Sequence, residues 1–179
     1  MKNPKIIILS GKAESGKNES ASILSNLLEK KGKKVVTVAY ASYLKEYAKK
    51  ILNWDGNENT KPRSFLQNLG VEIIKRKIDS KFLINRVIGD VKVYSFFYDI
   101  IIISDARFKE EIMDIKNLFS DVLVIKINGK ENSLTEEQKK HETEISLDDF
   151  DDYDYIIDNT SSIENLKTNI SKIVEDYYE

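Results

Sequence analysis

The sequence predicts an α/β fold with a mainly parallel, five-stranded sheet flanked by helices. Strand-like and helix-like segments alternate along the chain. The strand-like segments are continuous apolar runs rather than alternating ones, as expected for parallel strands buried on both faces. The 179 residues, 41% of them hydrophobic, suffice for one domain with a substantial core.

The chain begins with a strand–loop–helix–strand unit. KIIIL, residues 5–9, is a β-branched run typical of a buried strand. A helix follows from about 17 to 31, with apolar residues at helical spacing and Gly32 as its terminator. VVTVAY, residues 35–40, is the second strand. This order is that of a βαβ unit, from which parallel sheets are built.

Residues of about 42–92 are predicted to form a helical insert between sheet strands. Pro62 favours a helix start because proline suits the first helical position. The helices of the insert are expected at about 42–51, 62–78 and 80–87.

Three more strands and a last helix are predicted in the second half. The strands share apolar runs bounded by polar residues, and they lie at 99–105, 122–127 and 155–160. A helix with apolar residues on one side lies between the first two. Ser161 and Glu164 match a capping box, which predicts a final helix to about Tyr177.

Residues 129–152 form a highly charged segment without apolar periodicity, and they include the one histidine, His141. No linker, repeat or low-complexity tract divides the chain. We therefore expect a single domain, 1–179, in which the insert and the charged segment are mobile parts.

The composition argues against several classes of function. With 28 Lys and Arg against 30 Asp and Glu, the net charge of −2 does not favour a nucleic-acid binder. The absence of cysteine and the single histidine argue against disulfides, a thiolate nucleophile and a histidine-built metal centre. Apolar runs are far shorter than the roughly 20 residues that span a bilayer, so we expect a cytoplasmic protein without a membrane partner. Homodimer formation is left open.

GKAESGKN, residues 11–18, has the frame G-x-x-x-x-G-K between the first strand and the first helix. Backbone N–H groups and the helix N-terminus form an anion site in such a loop. Lys17 opposes the helix dipole, and a phosphate partner would explain its position. The motif predicts a P-loop NTPase fold that binds ATP. The predicted ATP-binding residues of the loop are consecutive: Gly11, Lys12, Ala13, Glu14, Ser15, Gly16, Lys17, Asn18 and Glu19.

Asn18 stands where Ser or Thr usually supplies a hydroxyl ligand to Mg²⁺. An amide oxygen is a weaker ligand, so Mg²⁺ would be held mostly through water and phosphate oxygens. The substitution argues against a GTPase switch and is compatible with nucleotide kinases. ATP and Mg²⁺ are the predicted cofactors.

Asp105 ends the third strand at the sheet edge where α/β proteins bind ligands. It is predicted to orient magnesium-bound water or to act toward the attacking oxygen, with an N-cap of the following helix as the alternative. Arg107 opposes the dipole of that helix, and arginine binds phosphate bidentately, which favours a phosphate contact. Lys17, Asp105 and Arg107 are the predicted catalytic residues.

A helical wheel of the insert places apolar residues on one side of the helix that begins at Pro62. This apolar face holds Phe65, Leu66, Leu69 and Ile73. Arg63, Gln67 and Gly70 lie roughly opposite and form either a docking face for a small anionic ligand or a solvated polar face. Arg76 falls near the apolar edge, so we expect it to be partly buried or directed into a cleft.

Six segments resemble the deoxynucleoside monophosphate kinases of bacteriophage type, within the P-loop kinase group. The most specific ones contain KPR-x-x-LQ-x-x-G and D-x-R-F. The six segments cover most of the chain: SGKAESGKNESA (10–21), AYASYLKEYAKK (39–50), KPRSFLQNLGVEIIKR (61–76), IIISDARFKEE (101–111), HETE (141–144) and DYIIDNTSSIENL (154–166).

The resemblance implies transfer of the γ-phosphoryl group of ATP to a (deoxy)nucleoside monophosphate, within the host cytoplasm if the chain is viral. It implies that Lys17 holds the transferring phosphate and that Asp105 lies by magnesium or the acceptor phosphate. Asn159 and Thr160 occupy the place where related kinases pack the adenine. The resemblance places Lys45, Arg63, Gln67 and Arg107 toward the acceptor, and the helical wheel adds Gly70 and Arg76 to these acceptor-binding candidates.

The charged segment is expected to close over the site as a lid. Its HETE sequence is similar to the H-x-[ST]-E of the family, which makes His141 and Glu144 lid candidates, although a solvated loop histidine is an equal alternative. The segment contains no arginine, so Lys139, Lys140 or the arginines of the insert would replace the lid arginines of adenylate kinases.

Two alternative functions are compatible with the motifs. One is a P-loop kinase of the phosphomevalonate or dephospho-coenzyme A type, because Val71 and Ser42-Tyr43 depart from the pattern of the family and leave the acceptor open. The other is a nucleotide-binding regulatory module. A guanine-reading N-K-x-D would favour that module, and the chain has NGKE at 128–131 instead.

Overall fold

The computed structural model describes residues 4–130 and 133–178, and these contain one five-stranded sheet in which all strand pairs are parallel. The spatial order is β2-β3-β1-β4-β5. The strands are β1 Lys5–Ser10, β2 Val35–Val38, β3 Ile100–Ala106, β4 Val122–Gly129 and β5 Tyr155–Asn159. The predicted α/β class and strand number are confirmed. Two residues of the charged segment, 131 and 132, lie outside the described residues.

Helices occupy the connections between strands. They are α1 Lys17–Lys30, α2 Tyr40–Leu52, α3 Arg63–Asn68, α4 Phe82–Tyr94, α5 Lys109–Leu118, α6 Glu136–Lys139, α7 Glu142–Ile145 and α8 Ile163–Tyr178. A 3₁₀ turn, Glu58–Thr60, precedes α3, and a π-helix, Leu69–Ile78, continues it directly. Within the described part of the chain, no helix has the length and apolar character required to cross a membrane.

The core consists of two apolar layers, one on each face of the sheet. Ile6 and Ile8 of β1 point into the layer formed with α4 and α5. Ile7 and Leu9 point into the layer formed with α1 and α8. All four side chains are fully buried, which explains why the central strand reads as a continuous apolar run.

The π-helix changes which side chains of the insert are buried. Ile74 is 3% exposed and Ile73 is 36% exposed, whereas the α-helical wheel predicted Ile73 on the buried face. Arg76, predicted near the apolar edge, is exposed. Both predictions were wrong because a π-helix bonds residue i to i+5 and therefore advances less per residue around its axis.

The predicted capping box at the start of the last helix is also wrong. The helix begins at Ile163, and Ser162 accepts a hydrogen bond from the backbone N–H of Asn165 at 3.3 Å. The Ser161 hydroxyl instead accepts from the Asn165 side chain. The cap therefore lies one residue later than the Ser161–Glu164 pattern indicated.

The parallel sheet brings the sequence-distant candidates to one edge. β1, β3, β4 and β5 all end at this edge, where the loops that follow them meet. Because strand order changes direction beside β1, a crevice forms beyond the carboxyl ends of the strands.

Candidate active site

The P-loop, residues 11–16, joins β1 to α1 and requires its two glycines. Gly11 and Gly16 have φ values of 148° and 96°, which L side chains rarely adopt. A Cβ on Gly11 would lie 2.4 Å from the carbonyl oxygen of Ile127, and one on Gly16 would lie 2.2 Å from Nδ2 of Asn159. The loop is thus clamped against the ends of β4 and β5.

Asn159 supports the P-loop from β5. Its Nδ2 donates a hydrogen bond to the carbonyl oxygen of Ser15 at 3.0 Å, while the neighbouring Thr160 is exposed. This contact gives Asn159 a structural role beside the P-loop. The adenine contact of Asn159 and Thr160 stays a prediction.

Lys17 folds back over the P-loop. Its side chain is buried, and Nζ donates to the carbonyl oxygens of Gly11 and Lys12 at 2.8 and 2.7 Å. Burial, together with the nearby Arg107 guanidinium, lowers the pKa of Lys17 to about 7. An incoming phosphate would add to the partial counter-charge that Asp105 and Glu144 supply to this ammonium group. Asn18 and Glu19, by contrast, are exposed on the first turn of α1.

Asp105 caps the insert rather than the helix that follows it. Its Oδ1 and Oδ2 accept from the backbone N–H groups of Tyr40 and Ala41, at 2.8 and 2.9 Å, at the start of α2. The alternative of an N-cap for α5 is therefore wrong, since the first turn of α2 receives the carboxylate. Burial raises the pKa of Asp105, against the stabilising effect of these two donors. Asp105 thus joins the end of β3 to the beginning of the insert.

Glu111 fixes the backbone at Arg107, and our sequence analysis missed it. Its Oε2 accepts from the N–H groups of Arg107 and Phe108 at 2.6 and 3.0 Å. Burial raises the pKa of this carboxyl to about 8. The available signal was its position three residues after the N-cap, Phe108, where an acidic residue commonly reaches back to the cap.

Arg107, Glu144 and the P-loop meet at one carboxylate. Nη1 of Arg107 donates to Oε1 of Glu144 at 2.5 Å and to the carbonyl oxygen of Thr143 at 3.4 Å. Oε2 of Glu144 accepts from the backbone N–H of Ala13 at 2.8 Å. The structure therefore brings together predicted residues from the P-loop, the end of β3 and the charged segment.

Arg63 reaches the P-loop from the insert. Its Nη2 lies 2.8 Å from Oε1 of Glu14, a residue held in the left-handed region at φ 61°. Glu14 also accepts from the backbone N–H of Ser133 in the charged segment at 2.8 Å. One P-loop side chain thus contacts both mobile parts predicted from the sequence.

The other cationic acceptor candidates are also paired with carboxylates. Lys45 lies 2.6 Å from Glu58. Arg76 contacts Glu72 at 2.5 Å and Glu142 of α7 at 3.1 Å. Arg63 and Arg76 thus pair with carboxylates outside the insert, whereas Lys45 pairs within it.

Gly70 and Gln67 do not form one open face with Arg63. A Cβ on Gly70 would lie 3.1 Å from Cδ1 of Leu44, so this glycine allows the π-helix to approach α2 closely. Gln67 is half-buried. Gly70 also lines a small cavity of about 100 Å³ beside Phe108. Acceptor contacts at Gly70 and Gln67 stay predictions.

The charged segment contains two short helices, and His141 caps the second. Nδ1 of His141 accepts from the backbone N–H of Thr143 at 3.3 Å. Lys139 lies 3.0 Å from Glu136, and Lys140 is exposed. His141 therefore has a structural role that positions α7, the helix that carries Glu144.

A cavity of about 540 Å³ lies between the P-loop, the end of β4 and the charged segment. Its volume falls within the range of small-molecule sites. Five cationic side chains line it: Lys12, Arg107, Lys126, Lys130 and Lys139. Two carboxylates, Glu144 and Asp148, also line the cavity, so the cations are in excess, which suits a polyanion. Lys126 and Lys130 were not among the predicted site residues, although a lysine inside the apolar run of β4 was a usable signal.

The residues of the site fit a magnesium ion carried by phosphates. Among residues 4–130 and 133–178, no three His, Asp or Glu side chains are grouped as a metal-binding cluster. Mg²⁺ commonly keeps several waters and binds through one or two carboxylates plus phosphate oxygens. Asp105 retains lone pairs beyond its two backbone contacts and lies near Lys17.

The parallel sheet, the P-loop and the cations around it define the chain as a protein of the P-loop kinase class. A family model described as deoxynucleotide monophosphate kinase matches residues 25–170. The chain therefore belongs to the deoxynucleotide monophosphate kinase family, as its sequence resemblance indicated, and is a nucleotide kinase. The matched range begins after the P-loop, so the loop is separate support for this assignment.

Solved structures of P-loop kinases share the fold at low sequence identity. The sugar kinase of Janibacter sp. HTCC2649 is 12% identical, with a TM-score of 0.58 over 97% of this chain and 95% of that one. The APS kinase of Mycobacterium tuberculosis in complex with AMPPNP and APS is 11% identical, with a TM-score of 0.56 over 100% of both chains. The shikimate kinase of Aquifex aeolicus vf5 is 16% identical, with a TM-score of 0.54 over 96% of both chains. A comparison with curated protein sequences found no match.

Proposed function

We propose that the chain transfers the γ-phosphoryl group of ATP to a deoxynucleoside monophosphate, with ADP and the nucleoside diphosphate as products. One observation carries this proposal: the N–H of Ala13 and the guanidinium of Arg107 bind the two oxygens of a single carboxylate, Glu144. The P-loop and the end of β3 can therefore hold one anion between them. That is the arrangement required for a phosphoryl group passing between two nucleotides.

In the proposed reaction, a phosphate oxygen of the acceptor attacks the γ-phosphorus of ATP. The bond to the β–γ bridging oxygen breaks, and its electron pair leaves on ADP. Lys17 and the P-loop amides stabilise the charge on the transferring group, and Arg107 orients the acceptor phosphate opposite the leaving group. A strong general base is not required, because the attacking phosphate oxygen is already ionised.

Magnesium bound to the phosphates of ATP would supply charge neutralisation across the β- and γ-phosphates. Asp105 would hold the water shell of this ion, and Asn18 would contribute a weak contact at most. Burial next to two backbone donors keeps Asp105 in a fixed position.

In this proposal, residues 1–179 form one kinase domain. The insert, about 42–92, binds the acceptor through Lys45, Arg63 and Arg76, and the charged segment, about 129–152, closes as a lid. Closure excludes water and so limits hydrolysis of ATP. The partners are small molecules, ATP and a nucleoside monophosphate.

An acceptor panel tests the proposal. The chain is incubated with ATP and Mg²⁺ and, in separate reactions, with each common dNMP, each common NMP, phosphomevalonate or dephospho-coenzyme A. We expect ADP to form with nucleoside monophosphates, deoxynucleotides above all, with the matching diphosphate as product. ADP formation with phosphomevalonate or dephospho-coenzyme A instead would assign the chain to the alternative kinase class. ATP binding without any acceptor-dependent turnover would favour the regulatory module.

A further inference from the structure

Glu144 is a lid carboxylate placed among groups that bind anions. Its side chain is 6% exposed. One oxygen accepts from the P-loop N–H of Ala13 at 2.8 Å, and the other accepts from Arg107 at 2.5 Å. Charge-assisted hydrogen bonds of this kind are the stronger ones in proteins. The contact therefore contributes substantially to holding α7 against the P-loop.

The same pattern occurs more weakly around the site. Glu14 pairs with Arg63, and Glu142 pairs with Lys75 at 2.5 Å and with Arg76 at 3.1 Å. In each case a carboxylate of the P-loop or lid neutralises a cation of the insert. Of these carboxylates, Glu144 contacts the P-loop backbone and Arg107 at once, so it links the two halves of the site.

We infer that Glu144 is an internal substitute for a phosphoryl group: it holds α7 against the P-loop, and a nucleotide phosphate must displace it. The inference rests on the proposed function, because that function places phosphates at Ala13 and Arg107. Each oxygen of Glu144 competes with a ligand for one of these partners. The affinity for a nucleotide is therefore lower than it would be if Glu144 did not already bind Ala13 and Arg107.

The shared carboxylate also couples the two substrates. When a phosphate of ATP replaces Glu144 at the N–H of Ala13, the carboxylate loses one of these two contacts. It then dissociates more easily from Arg107, which becomes able to bind the acceptor. Binding of the acceptor at Arg107 releases Ala13 in the same way. By linkage, each ligand must strengthen the other by the same factor.

The first test compares anion affinity in the wild type, Glu144→Gln and Glu137→Gln by isothermal titration calorimetry. Tripolyphosphate and AMPPNP are the probes. We expect both to bind Glu144→Gln about tenfold more tightly, since the neutral amide competes less well for Arg107. Glu137 is exposed in the same charged segment, so its variant controls for the loss of one negative charge and should change affinity less than about twofold.

The second test measures coupling between the two ligands, first in the unmodified chain and then in Glu144→Gln. The affinity for AMPPNP is determined with and without a saturating dNMP. We expect the dNMP to tighten AMPPNP binding by about fivefold in the wild type and to have little effect in Glu144→Gln. Independent binding of the two ligands in the wild type would overturn the inference.

The two tests separate this inference from the proposed function. If folded Glu144→Gln binds tripolyphosphate no more tightly than the wild type, Glu144 is not a phosphoryl substitute, whether or not the chain is an active kinase. If Glu144→Gln binds tripolyphosphate more tightly but the wild type phosphorylates no nucleotide, the competition between Glu144 and a phosphate is supported. The proposed function then fails.

Discussion

Different forces fix the P-loop and connect it to the insert and the charged segment. The P-loop follows a fully buried strand, is clamped by β4 and β5, and has glycines where side chains would clash. The side chains of the insert and the charged segment reach the P-loop mainly through ion pairs, and the Arg63–Glu14 side chains are 40% and 34% exposed. Exposed pairs of this kind contribute about 0–1 kcal/mol each, in contrast to the buried contact of Glu144. The phosphate-binding loop is therefore formed in advance, whereas the exposed ion pairs around it can be replaced by contacts with a ligand.

The largest effect should follow from removing the Lys17 ammonium group, which folds back over the P-loop. Lys17→Ala should lower kcat/KM for the nucleotide reaction by about a thousandfold or more, because phosphoryl transfer depends on charge neutralisation. Circular dichroism should show an intact fold, since the strand and glycines that define the P-loop are unchanged. Lys30→Ala, at the exposed end of α1, is the matched control. Near-normal turnover of Lys17→Ala would refute the role of the P-loop.

Arg107→Ala removes the side chain that joins the end of β3 to Glu144 of the charged segment. We expect kcat/KM for the acceptor to fall about a hundredfold, as for loss of one charged donor at a reacting group, while the affinity for AMPPNP changes much less. The control is Arg86→Ala, because Arg86 stacks over the Tyr43 ring at 4.5 Å, within the insert. If AMPPNP affinity collapses and acceptor kinetics do not, Arg107 belongs to the ATP side.

A smaller effect concerns the protonation of Lys17, whose side chain lies over the P-loop. The pKa of Lys17 is lowered to about 7 by burial, so at about pH 8.5 this group is mostly neutral in the free protein. A bound polyphosphate favours the ammonium form and raises its pKa, so binding should take up close to one proton. Affinity should therefore fall as pH rises above about 7, by up to roughly tenfold per pH unit.

Calorimetry of AMPPNP binding in buffers of different ionisation enthalpy measures this proton uptake. Saturating Mg²⁺ keeps the phosphates of the ligand ionised at about pH 8.5, so that their titration does not obscure the result. Heat that is independent of the buffer would show that Lys17 is already charged in the free protein.

The smallest effect should come from the ion pair between insert and P-loop. A double-mutant cycle of Arg63→Ala and Glu14→Ala should give a coupling of less than about 1 kcal/mol in the free energy of unfolding, because both side chains are partly exposed. Urea unfolding of the wild type, both single variants and the double variant measures it. A coupling above about 2 kcal/mol would show that this ion pair fixes the insert firmly to the P-loop.

The sequence was sufficient where structure depends on local rules. The apolar runs of β1 and β3 and the G-x-x-x-x-G-K frame predicted the sheet and the P-loop, because burial on two faces and positive φ each require particular residue types. The positions of Asp105 and Arg107 at the carboxyl edge followed from the parallel topology. What each side chain contacts there could not be inferred in the same way.

The contacts that sequence reasoning missed join residues far apart in the chain. Asp105 caps a helix 64 residues away, and Glu144 binds a backbone N–H 131 residues away. Neither partner has a local pattern, since any exposed N–H at the site would serve. The burial of Ile74 rather than Ile73 was missed for another reason, because the wheel assumed α-helical geometry over the π-helix.

The π-helix has a consequence for comparing this chain with its relatives. A π-helix can be regarded as an α-helix that has accommodated extra residues, and each residue corresponds to about 100° of α-helical rotation. Deleting one residue between Leu69 and Lys75 would therefore turn Lys75 and Arg76 away from Glu142 of the charged segment. An ungapped alignment with a relative that is α-helical in this stretch would pair non-equivalent cations, and a chimeric protein joined here would need the length of this helix matched first.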